Sequence, residues 1–362
     1  MTDPLLAATT PVFTVDGEVK GELARDVLRL EVEEGTGGLK TLVAHFAAIG
    51  PNPSGSDERL QYLDGAVVDF GKELEVSIGP PGTERKIFLG AISALEAAFD
   101  EGRMPNVTVF AEDALMKLRM TRRMRTYTDV SDDDIARAIA GEHGLGAEAA
   151  SDGPTYDVVH QLNQSDLAFL RDRARLVQAE IWCDDRTLNF KSRPNRTATS
   201  LTLVAGNHLI SAKLRADLAH QRTTVRVSGY DVQQRATIDE EAPADVVQAE
   251  VSGGRTGPSV LSSAFGERIS HRVREVPLVE GEANAWARAE MLRRARRFVS
   301  VTATTRGTPD LVVGSQVTLE RVGPPFEGAG YYVTRVRHTW DLSQGHRTSF
   351  EAERATVSEG AA

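Results

Sequence analysis

The sequence predicts an α+β protein that is mainly β. Apolar and polar residues alternate towards both ends of the chain, turn-forming residues separate the alternating runs, and a central stretch changes to helical spacing. A chain of 362 residues is long enough for about two or three domains. The predicted fold is therefore two antiparallel β regions, a mixed helix-hairpin domain between them, and a further insertion.

Residues 10–112 are predicted to form the first β region. Its clearest strand is the run KELEVSIG at residues 72–79, in which apolar residues alternate with charged or polar ones. Turn clusters rich in Gly, Pro, Ser and Asp separate the strands, at residues 35–38, 51–57 and 79–82. Short alternating segments between such turns are typical of an antiparallel sandwich or barrel.

Residues 113–200 are predicted to form a mixed helix-hairpin domain. Ser131 precedes three aspartates, a capping-box pattern that predicts the start of a helix. The segment QLNQSDLAFLRDRARLVQAEIWCDDRTLNF, residues 161–190, predicts a second helix capped by Asn163 or Ser165 and then a hairpin. One face of that helix carries four apolar residues, Leu167, Leu170, Ala174 and Val177.

The second β region is predicted at residues 201–235 and 299–355, where alternation resumes. Residues 236–298 separate these two pieces as an insertion. Within the insertion, residues 236–284 are rich in Gly, Pro, Ser and Glu and have weak periodicity, which predicts a flexible excursion. Residues 285–298 (AWARAEMLRRARRF) are predicted to form an amphipathic helix.

Composition and charge exclude several classes of protein. The formal net charge of −10 argues against nucleic acid as the main partner, because phosphate binding needs a basic surface. The single cysteine, Cys183, excludes an internal disulfide and a multi-cysteine zinc cage. No signal peptide is recognised, and no run approaches the roughly 18 apolar residues of a membrane span. We therefore expect a protein that is cytoplasmic when synthesised, without membrane insertion and without direct nucleic-acid specificity.

The sequence contains no recognisable motif for catalysis, cofactors or metals. The eight histidines are scattered without metal-ligand spacing, and Ser165 is not part of a GxSxG elbow. Cys183 lies in a predicted strand, where it is interpreted as a small buried apolar residue. The glycine-rich segments at residues 141–146 and 323–330 have the composition of turns rather than the spacing of phosphate loops. The prediction is no catalytic, cofactor-binding or metal site.

Two basic clusters, at residues 117–125 and 288–297, allow more than one interpretation. The simplest is a solvated helix face. The alternative is docking against an acidic neighbour, because arginine pairs well with carboxylates at interfaces. Nucleic acid is the third interpretation, and the net charge opposes it.

Three blocks of the sequence, in order, resemble the late control gene D proteins of phages and the N-terminal hub region of the type VI secretion spike protein VgrG. The blocks are residues 113–145, 161–190 and 311–354. The matching positions of the central block are Ser165, Asp166, Phe169 and Leu170. Those of the closing block are Gly314, Val317, Phe326, Gly328, Tyr332, Val333, Val336, His338, Phe350 and Arg354.

The sequence departs from the family pattern at two places in the central block. Gln164 stands where the family has a glutamate, and residues 178–179 lack the glycine that usually ends the helix. The spike domains that follow the hub region in VgrG, an OB-fold and a β-helix, are also not found after the closing block. A separate spike protein is therefore expected to complete the assembly.

The resemblance implies a fold and a function. The fold would be two β-barrel-like tube domains joined by smaller mixed domains, and three copies would form a ring. Such a homotrimer adapts a six-fold inner tube to a three-fold spike at the baseplate of a phage tail or injection particle. Its partners would be the spike, the inner tube protein and the baseplate wedge proteins. The matched residues are then positions of the scaffold or of an interface.

The resemblance also gives expectations about the ring. Unpaired edges of the strands at residues 72–79 and 330–340 would help to line or close it. Three copies would carry a formal charge of −30 (3 × −10), so an acidic lumen would not retain DNA. The alternatives are a tail-associated cell-wall hydrolase and a glycan-binding module. The sequence does not distinguish between a phage, a tailocin and a contractile injection system.

Overall fold

The computed structural model describes residues 10–51, 58–273 and 276–358, and these are mainly strands. The strands are β1 Val12–Val15, β2 Glu18–Val19, β3 Val27–Gly35, β4 Thr41–Ala47, β5 Ile49–Pro51, β6 Glu58–Leu60, β7 Glu73–Ile78, β8 Arg85–Ala98, β9 Asn106–Glu112, β10 Arg122–Ser131, β11 Gly146–Ala150, β12 Thr155–Ser165, β13 Ala179–Asp184, β14 Thr187–Ser192, β15 Ser200–Val204, β16 Leu209–Ala216, β17 Thr224–Asp231, β18 Ala236–Pro243, β19 Arg255–Thr256, β20 Ile269–Arg272, β21 Val299–Arg306, β22 Gln316–Glu320, β23 Gly328–Asp341, β24 Gly345–Arg354 and β25 Thr356–Val357. The helices are α1 Gly21–Asp26, α2 Met116–Met120, α3 Asp132–Glu142, α4 Asp166–Val177, α5 Asp245–Gln248, α6 Gly257–Phe265 and α7 Glu280–Arg296, with a 3-10 turn at Arg193–Asn195. The predicted α+β, mainly β class is confirmed.

The two predicted β regions share one large sheet. Its 13 strands follow the order β16-β21-β24-β23-β3-β4-β9-β8-β7-β1-β2, and β22 and β15 are attached through β23. The first region meets the second where β3 pairs antiparallel with β23, from Gly35 opposite Arg335 to Arg29 opposite Asp341. We call this pair of strands the seam.

Each β region has an apolar core built almost entirely from its own residues, although Trp340 of β23 packs into the core of the first region. In β7 the alternation predicted for residues 72–79 is confirmed, since Leu74, Val76 and Ile78 are buried. They belong to a first core that also contains Phe13 and Phe46. The second core gathers apolar side chains of β21 to β24, such as Val301, Tyr331, Val333 and Phe350.

The strands expected to close a ring through unpaired edges have no such edges. β7 is paired with β1 on one side and β8 on the other, and β23 lies between β24 and β3. Backbone groups already paired within the chain are not available to a second copy. The expectation of edge pairing by these two strands is therefore wrong. Among the described strands, β16 ends this path of the sheet and is paired with β21 alone.

The mixed domain begins its helices where the sequence predicts. Ser131 forms a capping box with Asp134 at the start of α3, and the Ser165 hydroxyl accepts a hydrogen bond from the Ala168 amide at the start of α4. α4 ends at Gln178, which has a left-handed backbone with φ +54°. Gln178 thus adopts the left-handed conformation that glycine usually adopts at the end of a helix. A glutamine in this conformation carries more backbone strain than a glycine would.

The insertion is more ordered than its weak periodicity suggests. The described part of residues 236–284 forms β18, α5, β19, α6 and β20. β17, assigned from the sequence to the second β region, pairs instead with β18 and β20. Its buried Val225 and Val227 share a core with Ala283 and Ala287 of α7. Alanines are small and only weakly apolar, so the buried face of α7 is hard to distinguish in the sequence. The first turns of α7 were therefore not predicted.

Candidate functional site

The outer face of the seam is a ladder of ion pairs. The carboxylate of Glu33 on β3 accepts hydrogen bonds from Arg337 on β23, at 2.6 and 2.9 Å, and also from Arg335. Burial alone would raise the pKa of Glu33, but the hydrogen bonds and charges of these arginines outweigh it and hold that pKa below its usual value. Opposite charges directly across two strands stabilise their pairing. The ladder therefore ties the first β region to the second.

The inner face of the seam carries a buried group of charges. Arg196, which follows the 3-10 turn, donates to Glu34 of β3 at 2.8 Å and to Glu180 of β13 at 3.2 Å. Lys40 lies 2.9 Å from the second oxygen of Glu34. Burial would raise the pKa of Glu34, but Lys40 and Arg196 hold it below its usual range. A buried carboxylate needs such partners to stay charged.

The same group of charges reaches the second β region through Arg193 and Tyr332. Arg193 pairs with Glu353 of β24, and its guanidinium lies 4.0 Å from the centre of the Tyr332 ring. The Tyr332 hydroxyl donates to Glu180 at 2.7 Å, and burial together with this carboxylate raises the pKa of Tyr332. We call this set the junction cluster: Glu34, Lys40, Glu180, Arg193, Arg196, Tyr332 and Glu353. It joins the mixed domain to both sides of the seam.

Gly314 makes room for the junction cluster. Its φ is +93°, a region that side chains other than glycine rarely adopt. A Cβ at this position would lie 2.9 Å from Nε of Arg196. The glycine of the closing block is therefore required both by its backbone and by the arginine packed against it.

Phe326, Gly328 and Arg354 belong to a second arrangement at the turn before β23. Arg354 donates to the backbone oxygens of Pro325 and Thr356, at 2.9 and 2.7 Å, and lies over the Tyr331 ring. Phe326 is partly buried against the second core, and Gly328 has φ +118°. Arg354 is 5% exposed, so its charge is satisfied by backbone oxygens in the interior. This arrangement fixes the turn on the second β region.

The four matched residues of the central block brace the mixed domain. Asp166 is fully buried and accepts from Gln161 at 2.8 Å and Arg123 at 3.1 Å, and its Oδ2 lies 2.8 Å from Nε2 of His143. Ser165 is occupied as the cap of α4. Phe169 and Leu170 are buried in the core, where Phe169 stacks on Tyr127. These contacts are those of a structural anchor.

His338 lies in a separate buried site on β23. Its Nδ1 is 3.1 Å from the Thr348 hydroxyl and 3.3 Å from Nε2 of His346. Burial lowers the pKa of both histidines, that of His346 to about 4. Two neutral imidazoles thus share a polar pocket beside the seam.

The matched residues therefore fall into five places rather than one pocket, since Val317, Val333, Val336 and Phe350 lie in the second core. Within the described ranges, no group of three or more His, Cys, Asp or Glu is placed to hold a metal ion. The buried Cys183 has its pKa raised to about 12, chiefly by burial, so its sulfur stays a thiol at neutral pH. In the part of the chain that the structure describes, no helix has both the length and the apolar character needed to cross a bilayer.

Many arginines of the two basic clusters are paired with carboxylates of their own chain. Arg123 and Arg125 lie 2.8 and 2.6 Å from oxygens of Glu142. In the second cluster, Arg293 and Arg294 pair with Glu290, at 2.6 and 2.7 Å. These pairs neutralise part of the positive charge of each cluster within the chain.

Sequence reasoning missed most of the junction cluster. Arg196 and Glu34 are 162 residues apart, so no local spacing rule connects them. The available signal was weak: Arg193 and Arg196 flank Pro194-Asn195, which has the composition of an ordinary turn. Only the pairing of β3 with β23 shows that these charges meet.

The fold is similar to those of several solved structures. The 43 kDa tail protein of prophage MuSo2 from Shewanella oneidensis has a TM-score of 0.68 and 12% identity, over 96% of this chain and 99% of that one. A tail protein from Neisseria meningitidis MC58 has a TM-score of 0.64 and 11% identity, over 96% of both chains. The E. coli c3393 protein, a component of the type VI secretion system, has a TM-score of 0.57 and 13% identity, over 93% of this chain and 76% of that one.

The sequence itself was also compared with families and curated proteins. The family model described as the Alg8 N-terminal domain matches residues 54–341. No curated protein has a matching sequence. The match spans most of the chain, from the first β region to the end of β23.

Proposed function

The chain belongs to the Alg8 N-terminal domain family, and from its tail-protein fold we propose that it is the baseplate hub of a phage tail or contractile injection system. The observation that carries the proposal is the end-to-end likeness to a prophage tail protein, 96% of one chain over 99% of the other. The seam supports a mechanical role, because ion pairs on both faces hold the two β regions as one body. A part that transmits load between two assemblies needs such stiffness.

In the proposed assembly three copies form a ring. Each copy supplies two mainly antiparallel β regions with separate cores, so three copies supply six similar units around one axis. Each region would close as a barrel-like tube domain of the ring. Six units match a six-fold inner tube on one face, and the three-fold axis matches a trimeric spike on the other. The mixed domain would then lie at the periphery, towards the baseplate wedge proteins.

We assign the contact between copies to β16. Its residues 210–216 are largely exposed, and Ile210 is 51% exposed. An eight-residue strand with one described neighbour is an aggregation hazard unless a partner covers its other side. In a closed ring each copy covers the exposed edge of the next, which removes that hazard.

The proposed hub catalyses no reaction. The matched serine, aspartate and histidine are occupied as cap, anchor and buried pair, which leaves them no role at a substrate. A zymogram on peptidoglycan is the direct test. A cleared zone produced by protein that has been freed of contaminating lysins would favour the tail-associated hydrolase instead.

The experiment that tests the hub role is co-production with candidate tube and spike proteins from the same genome. We expect particles in which a ring of mass three times 39.3 kDa joins the tube to the spike. Electron microscopy would show three-fold symmetry on one side of that ring and six-fold on the other. A chain that stays monomeric with both partners present, and is absent from their complexes, would contradict the proposal.

A further inference from the structure

A groove of about 940 Å³ lies beside the mixed domain. Its floor is formed by one face of α4, with Phe169, Arg173 and Leu176, and one face of α7, with Trp286 and Glu290. These helices belong to the core shared by the mixed domain and the insertion. The floor is therefore rigid, and its chemistry is set by aromatic, aliphatic and arginine side chains.

Two strand edges border this groove. β12 is paired only with β10, and β20 only with β17, among the described strands. Each contributes consecutive residues to the groove, at 158–160 and at 270–273. Successive side chains of a strand point to opposite faces, so a surface lined by consecutive residues meets the strand at its edge. Such edges accept an extended segment through backbone hydrogen bonds.

The groove has apolar residues exposed to solvent at its rim. Val158 is 43% exposed, Leu278 55% and Val273 81%. Aliphatic side chains grouped at the mouth of a groove, rather than scattered singly, are typical of a protein-binding surface. Nucleic acid would gain little from these residues, and the chain carries a net charge of −10.

The groove is also lined by more arginines than carboxylates, and one buried donor in it has no partner among the described residues. Five of its described lining residues are arginines and three are Asp or Glu. Nη2 of Arg173 is buried without a hydrogen-bond partner among the described residues, although Nε of the same side chain pairs with Asp132. Buried donors are usually satisfied, so Nη2 of Arg173 points to an acceptor supplied by a ligand.

We propose that this groove binds an extended acidic segment of a partner protein, with carboxylates alternating with aliphatic side chains. The carboxylates would meet Arg173 and Arg293, and the aliphatic side chains would cover Val158 and Leu278. Alternation follows from the geometry, because a strand added beside β12 or β20 presents successive side chains to opposite faces. The segment binds this chain whether or not three copies form a ring.

The test uses a yeast-displayed library of random nine-residue peptides selected against the full chain. We expect enrichment of peptides with alternating acidic and aliphatic residues. The affinity of a fluorescein-labelled enriched peptide, measured by anisotropy, should fall at least about tenfold in Arg293→Glu and in Leu278→Asp. Arg293 is partly exposed and Leu278 lies at the rim, so both variants should fold, which thermal unfolding would verify.

The matched control is Arg288→Glu, an exposed arginine of α7 outside this groove. It changes the net charge by as much as Arg293→Glu does and should leave the affinity within about twofold, since surface charges at a distance are screened by salt. Three results would overturn the proposal: no enriched peptide, enriched peptides without acidic residues, or equal losses in all three variants. Tighter binding of a twelve-nucleotide oligo-dT, lost in Arg293→Glu, would assign the groove to nucleic acid instead.

Discussion

At the scale of single residues, Arg196 joins the seam to the mixed domain through one guanidinium group. It pairs with Glu34 of the seam and Glu180 of the mixed domain, and it lies 4.2 Å from the Trp182 ring centre. We expect Arg196→Ala to lower the free energy of unfolding by about 3 to 5 kcal/mol, because it leaves buried carboxylates without their partner. Denaturant unfolding measures this.

The control for that variant is Arg175→Ala. Arg175 also pairs with a carboxylate, Asp172, but its side chain is 69% exposed. Its removal should change the stability by about 0.5 kcal/mol or less, since exposed ion pairs contribute little. Equal effects of the two variants would show that the junction cluster is not a buried network.

Gly314 tests how closely the junction cluster is packed. Gly314→Ala places a methyl group 2.9 Å from Nε of Arg196 at φ +93°, whereas Gly323→Ala, at φ +75°, meets nothing within 4 Å. Both variants carry about 1 to 2 kcal/mol of left-handed backbone strain. Gly314→Ala should cost at least about 1 kcal/mol more, because it also displaces a packed side chain.

A double-mutant cycle that combines Gly314→Ala with Arg196→Ala tests the same packing. In an Arg196→Ala background the added methyl group at Gly314 has room, so the excess cost should disappear. An excess that persists in that background would place the strain in the backbone alone.

His346 gives the protein a pH dependence of known sign. Its folded pKa, about 4, lies below the usual unfolded value of about 6.5, so the unfolded chain takes up the proton first as pH falls. Stability that is present at pH 7 is therefore lost between about pH 6.5 and 4, by about 3 kcal/mol in total. His346→Gln removes this loss.

The measurement compares wild type with His346→Gln in denaturant at pH 7 and pH 4.5. The stability difference between the two proteins should shift by about 2 to 3 kcal/mol in favour of the variant at the lower pH. The buried His338 beside it, and the neighbouring charge of Arg347, are present in both proteins. A difference that does not change with pH would refute the assignment.

At the scale of elements, two neighbouring residues at the start of α4 stabilise the fold in different ways. Ser165→Ala removes a cap and should cost about 1 kcal/mol. Asp166→Ala removes a fully buried carboxylate from Arg123, Gln161 and His143, and should cost about 3 to 5 kcal/mol. Chemical unfolding measures both, and circular dichroism at low denaturant shows whether the fold is kept.

The opposite ranking of these two effects on stability would change the interpretation of Ser165 and Asp166. If Ser165→Ala destabilised more than Asp166→Ala, the serine would have a role beyond capping, and the interpretation of this block as scaffold would have to be revised. The helix start itself was predictable from sequence because caps act over three or four residues. The partners of Asp166 were not, since they lie on β10, β12 and the end of α3.

At the scale of the whole molecule, β16 is the strand that we assign to contacts between copies. With Cys183→Ala as background, Ser211→Cys places one thiol on this strand, since Cys183 is the chain's only cysteine. Benzophenone-4-maleimide attached to this thiol should then, on irradiation, join neighbouring copies in assembled particles, because it reacts with whatever surface covers β16. Denaturing gels would show the cross-linked product at about twice the mass of the chain.

Arg288→Cys in the same background is the control, because it is exposed on α7 and not on β16. It should give little cross-linking under the same conditions. Cross-linking of both variants to the same extent would indicate random collisions, and cross-linking of Arg288→Cys alone would move the contact to the insertion.

The whole molecule also shows how far sequence reasoning reached. The mainly β class, the strand at residues 72–79 and the helix starts at Ser131 and Ser165 were predictable, because each is set by the period or spacing of a few neighbouring residues. The pairing of β17 with the insertion was not, since its alternation is the same in either sheet.

The sequence alone determined the mainly β class, the strand at residues 72–79, the helix starts at Ser131 and Ser165, the resemblance to hub proteins, and the lack of a recognised catalytic motif. The tertiary structure decided that β3 pairs with β23, that Arg196 and Glu34 meet from 162 residues apart, and that β12 and β20 border a groove. The physical reason is range: backbone propensity, capping and alternation act between near neighbours. The order of strands and the pairing of buried charges depend on which distant surfaces pack together.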